Sequence, residues 1–302
     1  MSETEPVVVA PLLFGLVVSC PFFGISIAQS IYYYKTYPTD SRSLKSFIGV
    51  LTLLESVHTI LITQSTKYWY LDSGLKPTFP PTLLASGYVT YVVISLVQMA
   101  YMGRVYALSA GNKWISTILC LMTSIQIICG FGMNSTLATH VVIISIHHTS
   151  AEIFGGLQLA ASVVCDVLIT SSLVFYLRDN RGEFKRTQNV VDRLVIYSIN
   201  IGMVTSIISL SALITRQWFA MPDNFIFSTF HILIGKVYFN SWLVTLNARK
   251  TMRKHLDGRL LSLPFPPPSL LPSHSISVDL SSQAEWRVFA CRNLPVIQLH
   301  GP

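Results

Sequence analysis

The chain has 302 residues, of which 51% are hydrophobic and 12% charged, with a formal net charge of +7 and a mean hydropathy of +0.52. An ordinary soluble domain carries roughly twice that share of charge. The composition excludes a disordered chain, a small secreted disulfide scaffold and most soluble enzymes, and it points to an integral membrane protein.

Crossing ~30 Å of hydrocarbon takes ~20 helical residues. Seven apolar runs meet that requirement, at 10–34, 47–65, 83–103, 114–133, 154–177, 194–214 and 225–246. They are continuous and do not alternate with polar residues, so helices are expected and not a barrel. The expected fold is therefore all-α, an integral membrane bundle of seven transmembrane helices over 10–254. It is preceded by a short extracellular N-terminus (1–9) and followed by a Pro/Ser-rich cytoplasmic tail (255–302). Glu3 and Glu5 precede the first run, no Lys or Arg does, and the run is far longer than the core of a signal peptide. It is expected to stay in the mature protein.

Orientation follows from the basic residues. Alternate loops hold Lys67, Lys76 and Arg216, three in all, while the opposite set holds seventeen. That set includes Lys35, Arg42, Lys45, Arg104, Lys113, the stretch 178–193 and the segment from Arg249 onward. The N-terminus is expected outside and the C-terminus in the cytoplasm, with the plasma membrane as the favoured location. The positive charge is thus a topology signal, and no nucleic-acid partner is expected. The basic loop 178–193 and the run 247–254 could dock a cytoplasmic partner, but contact with membrane lipids is the plainer expectation.

Cys20, Cys120, Cys129 and Cys165 fall in the runs and Cys291 in the tail, so no extracellular disulfide is expected. One sequon, Asn134-Ser135-Thr136, lies on the expected outer side at the end of the fourth run, a weak glycosylation signal. Residues 263–272 read LPFPPPSLLP and exclude helix.

Three stretches carry a more particular pattern. Residues 32–62 contain a tyrosine cluster, a Tyr-Pro-x-Asp turn and an acidic-x-x-His pair. Residues 166–206 and 221–253 match in long polar and aromatic strings, including DVLITSSLVFYLRDNRGEFKRTQNVVDRL and MPDNFIFSTFHILIGKVYFNSWLVTLNARKTMR. The pattern resembles a family of seven-span membrane proteins of basidiomycete fungi filed as a domain of unknown function, over roughly residues 12–254. The resemblance implies the architecture and brings no activity, ligand or catalytic residue. Relatives carry Asp where this chain has Glu55, and the resemblance ends near Leu256.

Ionisable side chains at bilayer depth usually face the bundle interior with partners. Glu55, Asp166 and Lys236 fall near the middle of the second, fifth and seventh runs, and a buried pair or triad among them is expected, Asp166 with Lys236 foremost. His58 shares a helix face with Glu55 at i+3. Asn200 and Asn240, with Gln98, Gln126 and His231, add polar groups. Glu55, His58, Asp166, Lys236, Asn200 and Asn240 form the candidate ligand site, between spans two, five and seven. Glue between helices is the plainer reading of the same residues.

Sharper chemistries fit less well. Lys236 could hold retinal, but Ile232 stands where microbial rhodopsins carry Asp, and 83–103 has no acid; no cofactor is expected. His140, His147, His148 and Glu152 lack ligand spacing, and Glu55-x-x-His58 occurs once where di-iron bundles need two such pairs; no metal is expected. Span three ends Met102-Gly103-Arg104-Val105-Tyr106 without an acid before the arginine, so a heptahelical receptor rests on topology alone. Pro21, Gly24, Gly155, Gly156 and Gly202 could mark the broken helices of a carrier or simply close packing. The expectation is a non-enzymatic, receptor- or sensor-like membrane protein binding a small molecule. A small-solute or proton carrier is the alternative, and a membrane-embedded enzyme comes third.

Overall fold

A computed structural model of the chain describes residues 5–71, 80–139, 149–179, 188–218 and 226–261. Among them are seven α-helices and no strand: α1 (Glu5–Thr36), α2 (Arg42–Leu71), α3 (Pro81–Leu108), α4 (Lys113–Thr139), α5 (Thr149–Asp179), α6 (Gln188–Trp218) and α7 (Ile226–Leu261). Each expected run lies within one helix but for Phe225, just outside the described residues. The helices are longer than the runs, because polar turns extend a helix beyond its apolar stretch. The tail was expected to begin at 255; α7 instead continues to Leu261, and residues 262–302 lie outside the described residues.

Local chemistry sets several boundaries. Ser41 accepts from the Leu44 amide at the start of α2, and Asn112 Oδ1 accepts from the Trp114 amide at the start of α4. Both satisfy amides that a helix leaves without an internal partner. Pro81 opens α3, where its missing N–H costs nothing. Between α3 and α4 the chain reverses through Ala110 and Gly111, both at positive φ.

Five helices, α1 to α5, are long and apolar enough to cross a membrane; in α6 the qualifying stretch is the shorter 202–216. The described part of α7 is diluted by His231, Lys236 and Asn240. The bundle is apolar outside and polar within. Phe14, Leu53, Ile128 and Phe175 are exposed, whereas Glu55, Gln98, Gln126, Asp166 and Lys236 are buried. A water-soluble fold would reverse that arrangement. The architecture is that of a helical membrane protein.

Consecutive helices pack side by side, and α7 packs on both α6 and α1, which closes the ring. α3 also packs on α5 and α7, so α3 and α7 hold the middle. The largest apolar core gathers Ile48, Leu51, Val97, Phe239, Trp242 and Leu243 toward one end, and a smaller one gathers Leu12, Ile62, Trp69 and Ile232 toward the other.

α1 and α7 run parallel in a fixed register. Thr229, Asn240 and Asn247 donate to the carbonyls of Pro11, Phe22 and Gln29, each pair 218 residues apart. Steps of 11 and 7 residues are about three and two helical turns, so all three donors lie along one stripe of α7. At Gly15 a Cβ would already lie 3.1 Å from Thr229 Cα, so the two backbones meet there.

Candidate functional site

Lys236 is 1% exposed, in α7 near the middle of the apolar run 225–246. Its Nζ donates to Glu55 Oε2 (3.0 Å) and to Thr59 Oγ1 (2.8 Å), both on α2, and lies 5.3 Å from the Phe23 ring centroid on α1. The Glu55 carboxylate passes over Gly235, where a Cβ would stand 3.2 Å from Oε1. Asn240, one turn on, donates to both the Lys236 and Phe22 carbonyls. His58 is buried one turn from Glu55, with Lys236 and His231 as its electrostatic neighbours. Its Nδ1 and the Nε2 of His231 have no hydrogen-bond partner among the described residues. Four of the six expected site residues therefore meet between α1, α2 and α7.

Asp166 does not join them. The expected Asp166–Lys236 pair is absent, because the carboxyl lies on the other side of α7. Its hydrogen-bonding neighbours are Tyr238, Thr205 and Gln98. Positions 236 and 238 are separated by about 200° around a helix, so Lys236 turns to α2 and Tyr238 to the opposite side. Around Asp166 a second polar cluster forms. Gln98 Nε2 donates to Gln126 Oε1 (3.1 Å) and to the Tyr238 hydroxyl (3.5 Å), Thr123 donates to Gln98 Oε1 (3.4 Å), and Ser162 pairs with the Tyr238 hydroxyl (3.3 Å). Five helices, α3 to α7, contribute. Asn200 lies in α6 at a position whose side chain is outside the described residues.

Sequence reasoning missed Tyr238 as the centre of that cluster. A tyrosine in an apolar helix carries no signal of its own until its azimuth is known. Arg216, counted only as a loop charge, is also engaged. It donates to the Ala151 carbonyl (2.8 Å), lies over Phe227 (5.2 Å) and has Glu152 as an electrostatic neighbour. Asn134 is buried, and its Nδ2, the atom a glycan would take, donates to the Leu84 carbonyl (3.0 Å). His140, His147 and His148 lie outside the described residues, among which no group of three or more metal-binding side chains occurs.

Farther along α7 Arg249, in the run 247–254 expected to contact lipid, reaches inward. Arg249 Nη2 meets Asp40 Oδ2 at 2.6 Å and stacks over Tyr37 (4.5 Å), while Tyr33 donates to the same carboxylate oxygen (2.8 Å). The Tyr37 hydroxyl donates to the Asn247 carbonyl and accepts from the Lys250 amide. Burial pushes that hydroxyl up from its ordinary value, so it stays neutral. The Tyr-Pro-x-Asp turn is thus a clasp on α7. Arg104 donates to Thr245 (2.7 Å) and lies 4.0 Å over Trp242, which tie α3 to the same region.

Residues 162–251 match the model of a family described as a Family of unknown function (DUF6534). The match runs from Ser162 in α5 through α7 and takes in Asp166, Tyr238, Lys236 and Arg249; Glu55 and Gln98 lie before it. No curated protein and no solved structure shows a significant match to the chain.

Proposed function

We propose that this protein is a seven-span membrane receptor or sensor of the plasma membrane, with its N-terminus outside and its C-terminus in the cytoplasm. The split of basic residues, seventeen against three, supports the orientation. One observation carries the receptor reading: α7 is shared by the Glu55 cluster, the Asp166 cluster and the Arg249 clasp. Lys236 on one face and Tyr238 on the other join the two buried clusters, and the same helix continues through Trp242, Thr245 and Asn247 to the Arg249 clasp. A small molecule or ion that altered either cluster would bias one rigid element, and a cytoplasmic partner binding the basic stretch 178–193 is proposed to sense it. That is the minimum a sensor needs: two sites and an element whose position both of them bias.

The alternative is a carrier of a small solute or proton through the same interior, favoured by the partnerless oxygen of Asp166. Receptor and carrier differ in flux. The full chain reconstituted in liposomes, with an internal pH-sensitive dye, should show no protein-dependent proton movement, and native mass spectrometry after gentle extraction should show a stoichiometric non-lipid adduct. Protein-dependent flux would replace the receptor by the carrier. Glycosylation-reporter sequons inserted after Ser73 and after Arg181 test the topology: the first should be modified and the second not.

A further inference from the structure

Two carboxylates are buried among the described residues, and they are not equivalent. Glu55 has Lys236 as its counterion. Asp166 is 4% exposed; among the described residues its hydrogen-bonding neighbours are the neutral Tyr238, Thr205 and Gln98, and its Oδ2 has no hydrogen-bond partner. A carboxylate left in that state inside a membrane bundle lacks the compensation that buried charges ordinarily find.

What surrounds it is oxygen. α5 and α6 run antiparallel: Thr170 packs directly on Gly202, and about one turn on Asp166 meets Thr205. One turn further along each helix come Ser162, four residues before Asp166, and Ser209, four residues after Thr205. The Ser209 hydroxyl is fully buried and has no partner among the described residues, so a second oxygen is open on α6. Ser162 Oγ, already at the Tyr238 hydroxyl, completes the layer.

We propose that Asp166 anchors a binding site for a compact monovalent cation of the sodium type, with Asp166 Oδ2 as the charged ligand and the hydroxyl oxygens of Ser162, Thr205 and Ser209 beside it. One carboxylate balances one positive charge, and a divalent ion would leave the interior charged. Carboxylate and hydroxyl oxygens suit hard cations, not the soft metals that thiolate or imidazole select. Thr170 packs closely on Gly202 about one turn from Asp166, so the two helices are in contact on that side of the site. The Glu55 cluster cannot serve the same role, because the Lys236 ammonium already fills it.

The inference deepens the proposed interior site and is tested independently of it. The full chain in detergent is melted in sodium chloride and in choline chloride at equal ionic strength and pH. Sodium at about ten times its Kd should raise Tm by about 2–5 °C, potassium by less. Asp166→Asn should abolish the difference between the salts. Ser209→Ala keeps the charge and should move the sodium titration several-fold to higher concentration, a readout that survives if the aspartate variant fails to fold. Equal melting of the native chain in both salts, or a sodium shift that persists in Asp166→Asn, would overturn the site. A sodium shift together with proton flux would keep the cation site and remove the receptor. An organic adduct without a sodium shift would do the reverse.

Discussion

The two sides of α7 handle a buried carboxylate differently. On the α2 side Glu55 and Lys236 close on each other, with Thr59 taking a further proton of the ammonium and Asn240 stitching the helix to α1. On the α5 side Asp166 sits among neutral hydroxyls and amides, with one oxygen unmatched. In the first arrangement the carboxylate has its counterion within the chain, and removing one partner alone strands the other. The second is incomplete, and an incomplete polar cluster is where a ligand or ion can gain most by binding. A buried ion pair by itself is weak grounds for a functional site, since pairs also fix helix register.

The largest effect should come from breaking the closed side. Lys236→Ala strands Glu55 in the interior and should cost about 3–5 kcal/mol, seen as a lower Tm in detergent and reduced surface expression. Glu55→Leu combined with Lys236→Met should recover most of that loss; simple additivity of the two single variants would show that the pair is not coupled. The matching change on the open side sharpens the contrast. Asp166→Asn in choline salt removes a charge that nothing balances, and it should leave Tm unchanged or higher by about 1 kcal/mol of stability. A loss as large as that of Lys236→Ala would mean that Asp166 has a counterion after all. The smallest effect belongs to the clasp at the far end. Arg249→Ala removes a half-buried ion pair and two ring contacts, and about 1 kcal/mol is expected, with the loss growing at low salt if the pair dominates and unchanged by salt if the stacking on Tyr37 does.

These outcomes depend on pairings that the sequence only half discloses. The helices were legible because unbroken apolar runs have few other uses. Depth was legible too, since counting residues from a helix end places Glu55, Asp166 and Lys236 at similar levels. Azimuth was not. Choosing between Glu55 and Asp166 as the partner of Lys236 requires knowing which helix faces it, and two residues of displacement, from 236 to 238, reverse the answer. The same gap hid the clasp. Arg104 and Arg249 count toward topology whether they snorkel to lipid or stack on Trp242 and Tyr37, and only packing separates those cases. The i+3 spacing of His58 from Glu55 and the i+4 spacing of Asn240 from Lys236 do fix relative azimuth, each on its own helix. Contacts between helices have no such rule.

The shared register of α1 and α7 has a consequence for how the molecule is made. α1 contributes only backbone carbonyls to its three contacts with α7, and these are already satisfied within its own helix, so it can sit in lipid alone. α7 contributes the side chains, and Lys236 at a helix centre opposes insertion by ~2.5–3.5 kcal/mol on translocon scales. The helix least able to enter a bilayer unaided is thus the last of the seven to leave the ribosome, when α1 and Glu55 of α2 are already in place to receive it. Insertion of α7 is then an assembly step, and a ribosome stalled before Ile226 would leave a six-helix intermediate with Glu55 waiting for its counterion.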